Sequence, residues 1–271
     1  MKNPLISILI VNYNSSDFVE NSLFALEKLT KNSYRVFIAD NDSKLHDFRK
    51  LLKLQIKYKN IFIERNVEKL RGSMAHGTAL NQLVKKVDTK YFCILDADAV
   101  WLKKDWDEIL IRKMSDKIKV IGTQSIHRDG RDFPSMFAII FETETFLKLN
   151  IDLRPKDMST EQDTGWEMRG KYLKDGYQAM NLEFKNTRVY KNGPFRKTSG
   201  IGEFYLEKDY DNLFATHFGR GSNPFAKRVI KINNGLINLI FLPINYLFCK
   251  KEKVKWIRIC KKIAIQQKTS C

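Results

Sequence analysis

Two aspartates separated by a single residue follow an apolar stretch of the sequence. Asp96 and Asp98 come directly after YFCIL at residues 91–95. Two carboxylates at the end of a buried strand can hold a hard divalent cation, and that cation can neutralise a diphosphate. A solvated acidic loop is the alternative for so short a motif. The apolar strand before it favours the metal site.

A second polar cluster, Asp40-Asn41-Asp42-Ser43, follows the apolar run YRVFIA. The carboxylate of Asp40 could accept hydrogen bonds from a base or a ribose. Asp, Asn and Ser are also the usual residues of turns and helix caps. Taken alone, this cluster favours the turn over the binding site.

Apolar runs and helical spacings alternate along the first hundred residues. Continuous apolar runs predict strands buried on both faces, at residues 5–11, 34–39, 61–64 and 91–95. Helical spacing of apolar residues predicts the intervening helices, at residues 16–29, 47–59 and 77–87. This βαβαβαβ order implies a mostly parallel sheet with right-handed crossovers. Ligands of such sheets bind beyond the carboxyl ends of the strands, and the polar clusters fall there.

The pattern is less regular after residue 118. It predicts strands at residues 120–122 and 137–141, helices at 144–149 and 164–175, and a loop at 193–202. With 43% apolar residues the chain can bury a sizeable core, which excludes wholesale disorder. The sequence has no P-loop, no GxGxxG after a strand, no GxSxG and no HExxH, so nothing supports those sites.

The positive charge is concentrated at one end of the chain. The 271 residues carry 48 Lys and Arg against 31 Asp and Glu, a net charge of +17. Residues 225–271 contain 11 of the basic residues and one acidic residue, Glu252, and so account for +10 of that charge. Such an excess suggests a polyanionic partner, such as nucleic acid, anionic lipid or a phosphorylated substrate.

The C-terminal segment has the spacing of an amphipathic helix. Its apolar residues recur at helical spacing at Val254, Ile257, Cys260, Ile263 and Ala264. Its basic residues repeat on another face, at Lys251, Lys255, Arg258 and Lys262. We expect this segment to lie on an anionic membrane surface, with Trp256 at the interface. A solvated helix packed on the rest of the chain is the alternative.

Nothing in the sequence predicts a membrane-spanning helix or a disulfide framework. The apolar stretch 235–249 contains Pro243 and is shorter than the about 20 residues that a spanning helix needs. The apolar start of the chain is expected to be a first strand, not a signal peptide. The four cysteines form no CxxC pair, so we expect free thiols in a reducing cytosol.

Three motifs together resemble a known family. ILIVNYNSSDF at residues 8–18, FIADNDS at 37–43 and FCILDADAV at 92–100 look like the nucleotide-binding half of family 2 glycosyltransferases of GT-A fold. The resemblance implies an α/β fold with a Rossmann-like, mostly parallel sheet flanked by helices, here followed by the basic amphipathic helical segment. It implies a catalytic domain at residues 1–224, divided into a nucleotide-binding half (1–105) and an acceptor and sugar half (106–224), ahead of the C-terminal segment 225–271.

The same resemblance implies roles for particular residues. Those expected to bind the nucleotide are Asn12, Tyr13, Asn14, Asp40, Arg71 and Asp96, with His76 as the alternative to Arg71 in a segment whose spacing departs from the family pattern. Asp98 would ligate Mn²⁺ or Mg²⁺ bridging the donor diphosphate. Because some GT-A enzymes use a late histidine as an extra ligand, His217 is the expected second metal ligand. Arg220 would contact a phosphate.

An acidic residue near the start of the helix predicted at residues 164–175 is implied as the general base. It would take the proton from the acceptor hydroxyl as that oxygen attacks the anomeric carbon. Asp163 is the first candidate, because Thr164-Gly165 follows it as a tight helix entry. Glu161 is the second and Glu167 the third. A carboxylate that merely stabilises the helix N-terminus is the alternative.

The implied activity is metal-dependent, inverting transfer of a sugar from a nucleotide-diphosphate sugar to a hydroxyl of a glycan or lipid-linked acceptor, of the cell-surface polysaccharide type. We expect a UDP-sugar as donor, an anionic membrane as a further partner and no nucleic acid. The expected location is the cytoplasm, at the inner face of the membrane. The rivals are a nucleotidyltransferase, which would usually have a Gly-rich basic loop where residues 12–16 stand, and a non-enzymatic peripheral protein that binds lipid or nucleic acid.

Overall fold

The computed structural model describes residues 3–67, 70–124, 132–160, 162–206, 212–220 and 235–269, with all of their side chains except those of residues 235–248. The strands in these ranges are β1 Ile6–Asn12, β2 Tyr34–Asn41, β3 Ile61–Asn66, β4 Tyr91–Leu95, β5 Ala99–Trp101, β6 Ile118–Thr123, β7 Ala138–Glu142, β8 Gln178–Asn186, β9 Gly202–Tyr205 and β10 Leu213–His217. The helices are α1 Ser16–Leu29, α2 Leu45–Lys57, α3 Gly72–Val84, α4 Trp106–Lys113, α5 Thr143–Lys148, α6 Met168–Lys174 and α7 Gly235–Thr269.

The strands form one large sheet in the order β3-β2-β1-β4-β7-β6-β8-β9-β10-β5. Strands β1 to β4 pair in parallel, as the alternating pattern of the first hundred residues predicts. Antiparallel strands extend the sheet from β7 onward, apart from the parallel pair β6 and β8. The α/β fold class expected from the sequence is confirmed.

The core lies in two layers, one on each face of the sheet. In β1, Ile6, Ile8 and Ile10 pack in the layer formed with α1, α2 and α7, whereas Leu9 packs in the layer formed with α3, α5 and α6. A strand that buries both faces is apolar at nearly every position, which explains the run in the sequence. The exception in the run is the buried Ser7, whose hydroxyl accepts a hydrogen bond from Thr89 at 2.9 Å.

Helix α3 begins at Gly72, earlier than the predicted start at residue 77, and Gly77 lies inside the helix. A Cβ at Gly77 would come 2.6 Å from the backbone oxygen of Leu153, so only glycine allows α3 to pass this loop. Helix α6 begins later than the predicted residue 164. Gly165 has a φ of +77°, and this left-handed conformation keeps residues 164–167 in a turn.

Several elements after β4 do not follow from the sequence pattern, namely β5, α4 and β8 to β10. Strands β9 and β10 are short and carry the buried polar residues Glu203 and Thr216, so they lack the apolar signature of a core strand. They are stabilised by antiparallel pairing with each other and with β5 and β8.

The C-terminal helix α7 packs against the rest of the chain. Trp256 is fully buried, with its ring 5.7 Å from that of Phe18 and 5.6 Å from that of Phe218. Its indole N–H donates to Thr216 Oγ1 at 3.2 Å. Cys260 and Ala264 are fully buried on the same face of the helix. The expectation that Trp256 lies at a membrane interface is therefore wrong: this face of the helix belongs to the core.

None of the helices in the described ranges is both long and apolar enough to cross a membrane.

We expect Trp256→Ala to lower the free energy of unfolding by about 3–5 kcal/mol, because it removes a fully buried ring that bridges α1 and β10. Urea denaturation followed by circular dichroism measures this. Val254→Ala is the matched control in the same helix, since Val254 is 51% exposed and its truncation should cost less than about 0.5 kcal/mol. Equal stability of the two variants would contradict the docking of α7.

Candidate functional site

A tight turn holds the two aspartates at the carboxyl end of β4. The Ala99 amide donates to the Asp96 carbonyl at 2.9 Å, and the Asp96 amide donates to the Phe137 carbonyl at 2.8 Å. From α1 below, the Ser22 hydroxyl donates to the Ala99 carbonyl at 2.8 Å. The sheet and the first helix together fix the direction of both carboxylates.

His217 comes to the same place from the other end of the chain. It is the last residue of β10 and pairs with Ala99 of β5. Its Nε2 lies 3.1 Å from Asp98 Oδ1 and 3.8 Å from Asp96 Oδ2. The ring of Phe137 stacks on the imidazole with centroids 4.2 Å apart, which holds its plane. The donor atoms of Asp96, Asp98 and His217 all lie within 4.8 Å of one another.

The three side chains fit a divalent cation by their chemistry. Two carboxylates and one imidazole are donors that Mn²⁺ accepts, and the carboxylates also suit Mg²⁺. Burial raises the pKa of Asp96 to about 8; His217 opposes this effect, and the nearby Asp98 and Asp163 add to it. Buried carboxylates crowded in this way are stabilised in their charged form by a cation between them.

The residues that follow His217 hold Asp98 in place. The Phe218 amide donates to the Asp98 carbonyl at 2.9 Å, and the Arg220 amide donates to Asp98 Oδ2 at 3.0 Å. The guanidinium of Arg220 is buried and turned away, donating to Glu252 of α7 at 2.9 Å and to the Ser199 carbonyl at 3.1 Å. Arg220 thus links Asp98 to α7, and its contact with a phosphate stays a prediction.

Asp163 lies in the turn before α6. Its carbonyl accepts the Trp166 amide at 3.1 Å, across the left-handed Gly165. Its Oδ1 accepts the Thr164 amide at 2.8 Å and the hydroxyl of Ser73, in the first turn of α3. These contacts between distant segments fix the orientation of the carboxylate at the edge of the cluster.

His76 connects Asp163's turn to the aspartate pair. Its Nε2 lies 3.7 Å from Asp96 Oδ1, and its Nδ1 lies 3.4 Å from Thr164 Oγ1. Burial lowers the pKa of His76 to about 4, against the opposing charges of Asp163 and Asp98. The ring is therefore neutral near pH 7. The sequence pattern offers His76 only as an alternative to Arg71 and gives no signal for Ser73. Both residues lie in the first turns of α3, which the pattern does not predict because Gly77 suggests a later helix start.

The other two base candidates differ from Asp163. The Glu167 carboxylate accepts the Asp152 amide at 2.6 Å and forms ion pairs with Lys156 at 2.9 Å and Lys171 at 2.5 Å. Its oxygens are thus engaged in a salt-bridge network beside the turn. Glu161 lies outside the described residues.

Asn12 and Asp40 bind each other at the carboxyl ends of β1 and β2. Both are fully buried, and Asn12 Nδ2 donates to Asp40 Oδ1 at 2.7 Å and to Ser43 Oγ at 3.1 Å. Asp40 Oδ2 in turn accepts the Ser43 amide at 3.1 Å. The network holds the loops after the two strands together, which matches the turn interpretation of this cluster. Direct nucleoside contact by Asn12 and Asp40 stays a prediction.

The remaining nucleotide candidates are more accessible. Asn14 has a left-handed φ of 51°, and its Oδ1 accepts the Lys44 amide at 2.9 Å. This conformation leaves Tyr13 50% exposed at the rim of the loop. Arg71 is exposed at the N-cap of α3, two residues before Ser73. The structure thus brings Asp96, Asp98 and His217 together, with Asp163 connected to them through Thr164 and His76. Tyr13 and Arg71 are exposed on loops that follow β1 and β3.

Solved structures share this fold at low sequence identity. The mannosyltransferase PcManGT of Pyrobaculum calidifontis, in complex with GDP-Man and Mn²⁺, matches with a TM-score of 0.54 and 14% identity over 73% of this chain and 61% of its own. TarS of S. aureus (residues 1–349), in complex with UDP, matches with a TM-score of 0.52 and 15% identity over 65% of this chain and 57% of its own. The chain thus spans about three fifths of the length of these structures.

No curated protein sequence matches the chain. The two solved structures establish the fold as that of GT-A glycosyltransferases. The sequence profile described as Glycosyl transferase family 2 matches residues 7–176, more than half of the chain. The protein therefore belongs to glycosyl transferase family 2.

Proposed function

We propose that the protein transfers a sugar from a nucleotide-diphosphate sugar to an acceptor hydroxyl, with inversion at the anomeric carbon and with a divalent metal ion. The observation that carries this proposal is the cluster of Asp96, Asp98 and His217 beside Asp163 at the carboxyl ends of the strands. It combines a cation site with a separate carboxylate in a chain of glycosyl transferase family 2.

Asp96, Asp98 and His217 would hold the metal. The PcManGT structure contains Mn²⁺ together with GDP-Man, which supports the same kind of site here. A bound Mn²⁺ or Mg²⁺ supplies positive charge that stabilises the departing diphosphate. The chain's own contribution is to keep the donor atoms within 4.8 Å of one another, through the β5–β10 pairing and the Arg220 amide.

Asp163 acts as the general base in this proposal. Its carboxylate would take the proton of the acceptor hydroxyl while the oxygen of that hydroxyl attacks the anomeric carbon and the bond to the diphosphate breaks. A single displacement of this kind inverts the anomeric centre. The hydrogen bonds from Ser73 and from the Thr164 amide orient the base before the acceptor arrives.

The nucleoside would bind at the loops after β1 and β2. Tyr13 offers a half-exposed ring and Arg71 an exposed guanidinium, while Asn12 and Asp40 keep the loops in place from below. We propose a UDP-sugar as the donor. The TarS complex contains UDP, which supports this base, whereas PcManGT was solved with GDP-Man.

The acceptor is proposed to be a glycan or a lipid-linked saccharide, of the kind used in cell-surface polysaccharide synthesis. Trp166 supports a carbohydrate acceptor: it lies three residues after Asp163 and is 50% exposed. Large exposed aromatic side chains beside a reactive group are characteristic of binding sites, since an aromatic face covers the apolar face of a ligand.

Asp98→Asn should abolish stabilisation of the protein by UDP with Mn²⁺. The substitution keeps the shape of the side chain, so the amide of Arg220 still finds an acceptor, but it removes the charge that holds the metal. Thermal unfolding at about 100 times the dissociation constant should show about 2.7 kcal/mol of stabilisation for the unsubstituted protein and none for the variant.

Asp116→Asn is the matched control, because Asp116 is exposed in the loop between α4 and β6. It should respond to UDP and Mn²⁺ like the unsubstituted protein. A full Mn²⁺-dependent response of Asp98→Asn would remove that residue from the metal site.

Asp163→Asn should preserve donor binding and lower the rate of transfer by roughly 10²–10⁴-fold, because the amide cannot accept the proton. Steady-state transfer from the nucleotide-sugar, with the donor KM measured in parallel, separates the two effects. Glu167→Gln is the comparison variant and should leave most of the rate intact, since its carboxylate is held by two lysines. The reverse pattern would assign the base to Glu167.

Among nucleoside diphosphates with Mn²⁺, UDP should raise the melting temperature most. A thermal-shift series with UDP, GDP and dTDP at equal concentration tests this, because a ligand stabilises in proportion to its affinity for the folded state. A larger shift with GDP would replace the proposed donor. Equal shifts without any metal dependence would argue against a specific nucleotide site.

A further inference from the structure

We propose that the outward face of α7 binds an anionic membrane surface. The helix has a buried inner face formed by Trp256, Cys260 and Ala264. On the opposite side lie five exposed residues that we call the outer stripe: Lys251, Val254, Arg258, Lys262 and Ile265. Their spacing of three, four, four and three residues places them along a single line on the helix. The outer stripe remains uncovered after the helix has docked.

The charged residues of α7 are divided between its docked face and its exposed face. Several basic residues are used for docking: Lys253 pairs with Asp17 of α1 at 2.9 Å, and Lys255 donates to the Lys197 carbonyl at 2.9 Å. The only acidic residue in the sequence of α7, Glu252, pairs with the buried Arg220 at 2.9 Å. The outer stripe is left with three cations and no carboxylate. This arrangement is complementary to a polyanion.

Apolar residues within the outer stripe favour a lipid surface over nucleic acid. Val254 and Ile265 are each 51% exposed between the cations. Together with Ile257 they line a surface depression whose other members are Arg258, Lys261 and Lys262. Apolar side chains among cations suit the boundary between headgroups and acyl chains. Nucleic acid sites usually add aromatic rings for stacking, and the one aromatic residue of α7 whose side chain the structure describes, Trp256, is buried in the core.

The first part of α7 is also apolar in sequence. Residues 235–248, the first part of α7, include no charged residue and are mostly Leu, Ile and Phe. Apolar residues ahead of a segment with exposed cations are the pattern of a helix that lies in the plane of a lipid interface.

Membrane binding of α7 would also set the position of the metal site. Glu252 holds Arg220, whose amide binds Asp98, and Trp256 binds Thr216, which precedes His217. Two turns of the helix thus connect the outer stripe to the metal ligands through direct contacts. The proposal rests on the surface of α7 alone and does not depend on sugar transfer.

Sedimentation of the full chain with vesicles tests the proposal. We expect binding to vesicles of phosphatidylcholine mixed with phosphatidylglycerol, little binding to phosphatidylcholine alone, and weaker binding at high ionic strength. The triple variant Lys251→Gln, Arg258→Gln, Lys262→Gln should lower the partition coefficient roughly 100-fold, since each basic residue near anionic lipid contributes about fivefold. Val254→Asn with Ile265→Asn should lower binding that persists at high salt.

The matched control removes the same charge elsewhere. Lys85, Lys117 and Lys174 are exposed and belong to other elements, at the ends of α3 and α6 and in the loop before β6. Their triple replacement by Gln should leave vesicle binding nearly unchanged. Melting curves of all variants should coincide, because no substituted side chain is buried. An equal loss in the control would overturn the proposal, since binding would then follow net charge alone. Absence of vesicle binding, with single-stranded DNA bound through the outer stripe instead, would also overturn it.

Discussion

The carboxylate of Asp98 depends on contacts made across the full length of the fold. Its oxygens meet His217 Nε2 at 3.1 Å and the Arg220 amide at 3.0 Å, from residues 119 and 122 positions later in the chain. Those contacts exist only because β5 pairs with β10 immediately after the turn that carries Asp98. A buried carboxylate without such partners would be costly, so the candidate metal site depends on the pairing that closes this end of the sheet.

The first half of the site was predictable because its signals are local. An apolar run followed at once by two aspartates predicts a buried strand with both carboxylates at its carboxyl end. The parallel pairing of β1 with β2 and β4 confirms that the carboxyl ends of these strands lie at the same edge of the sheet. The second half depends on pairings that no local pattern reveals. Strand β9 carries the buried Glu203, and α3 carries Gly77 inside its length, so apolar periodicity fails at both places.

Polar residues at strand ends serve two purposes that the sequence cannot separate. Asn12 and Asp40 were expected to face a ligand, yet their side chains bind each other at 2.7 Å and are fully buried. Tyr13, which follows Asn12 in the loop after β1, is exposed. Buried hydrogen-bonded side chains are useful to a nucleotide site because a preorganised loop loses less entropy on binding. An accessible aromatic ring is useful because it can contact the ligand directly. Side-chain burial, which depends on the whole fold, separates the two groups where the local sequence does not.

The sequence of the C-terminal segment leaves a choice between membrane and core. In the structure, the helical period gives α7 one face in the core and one exposed face. Positions 256, 260 and 264 are fully buried, while 251, 258 and 262 point outward with their charges. Docking alone would not require cations on the outer stripe, since a surface helix is equally soluble with mixed charges. The separation is informative for that reason: among the described residues, Asp17 pairs with Lys253 of α7, and Glu252 of α7 pairs with the buried Arg220, both away from the outer stripe. The uncompensated charge therefore belongs to the surface that faces away from the protein.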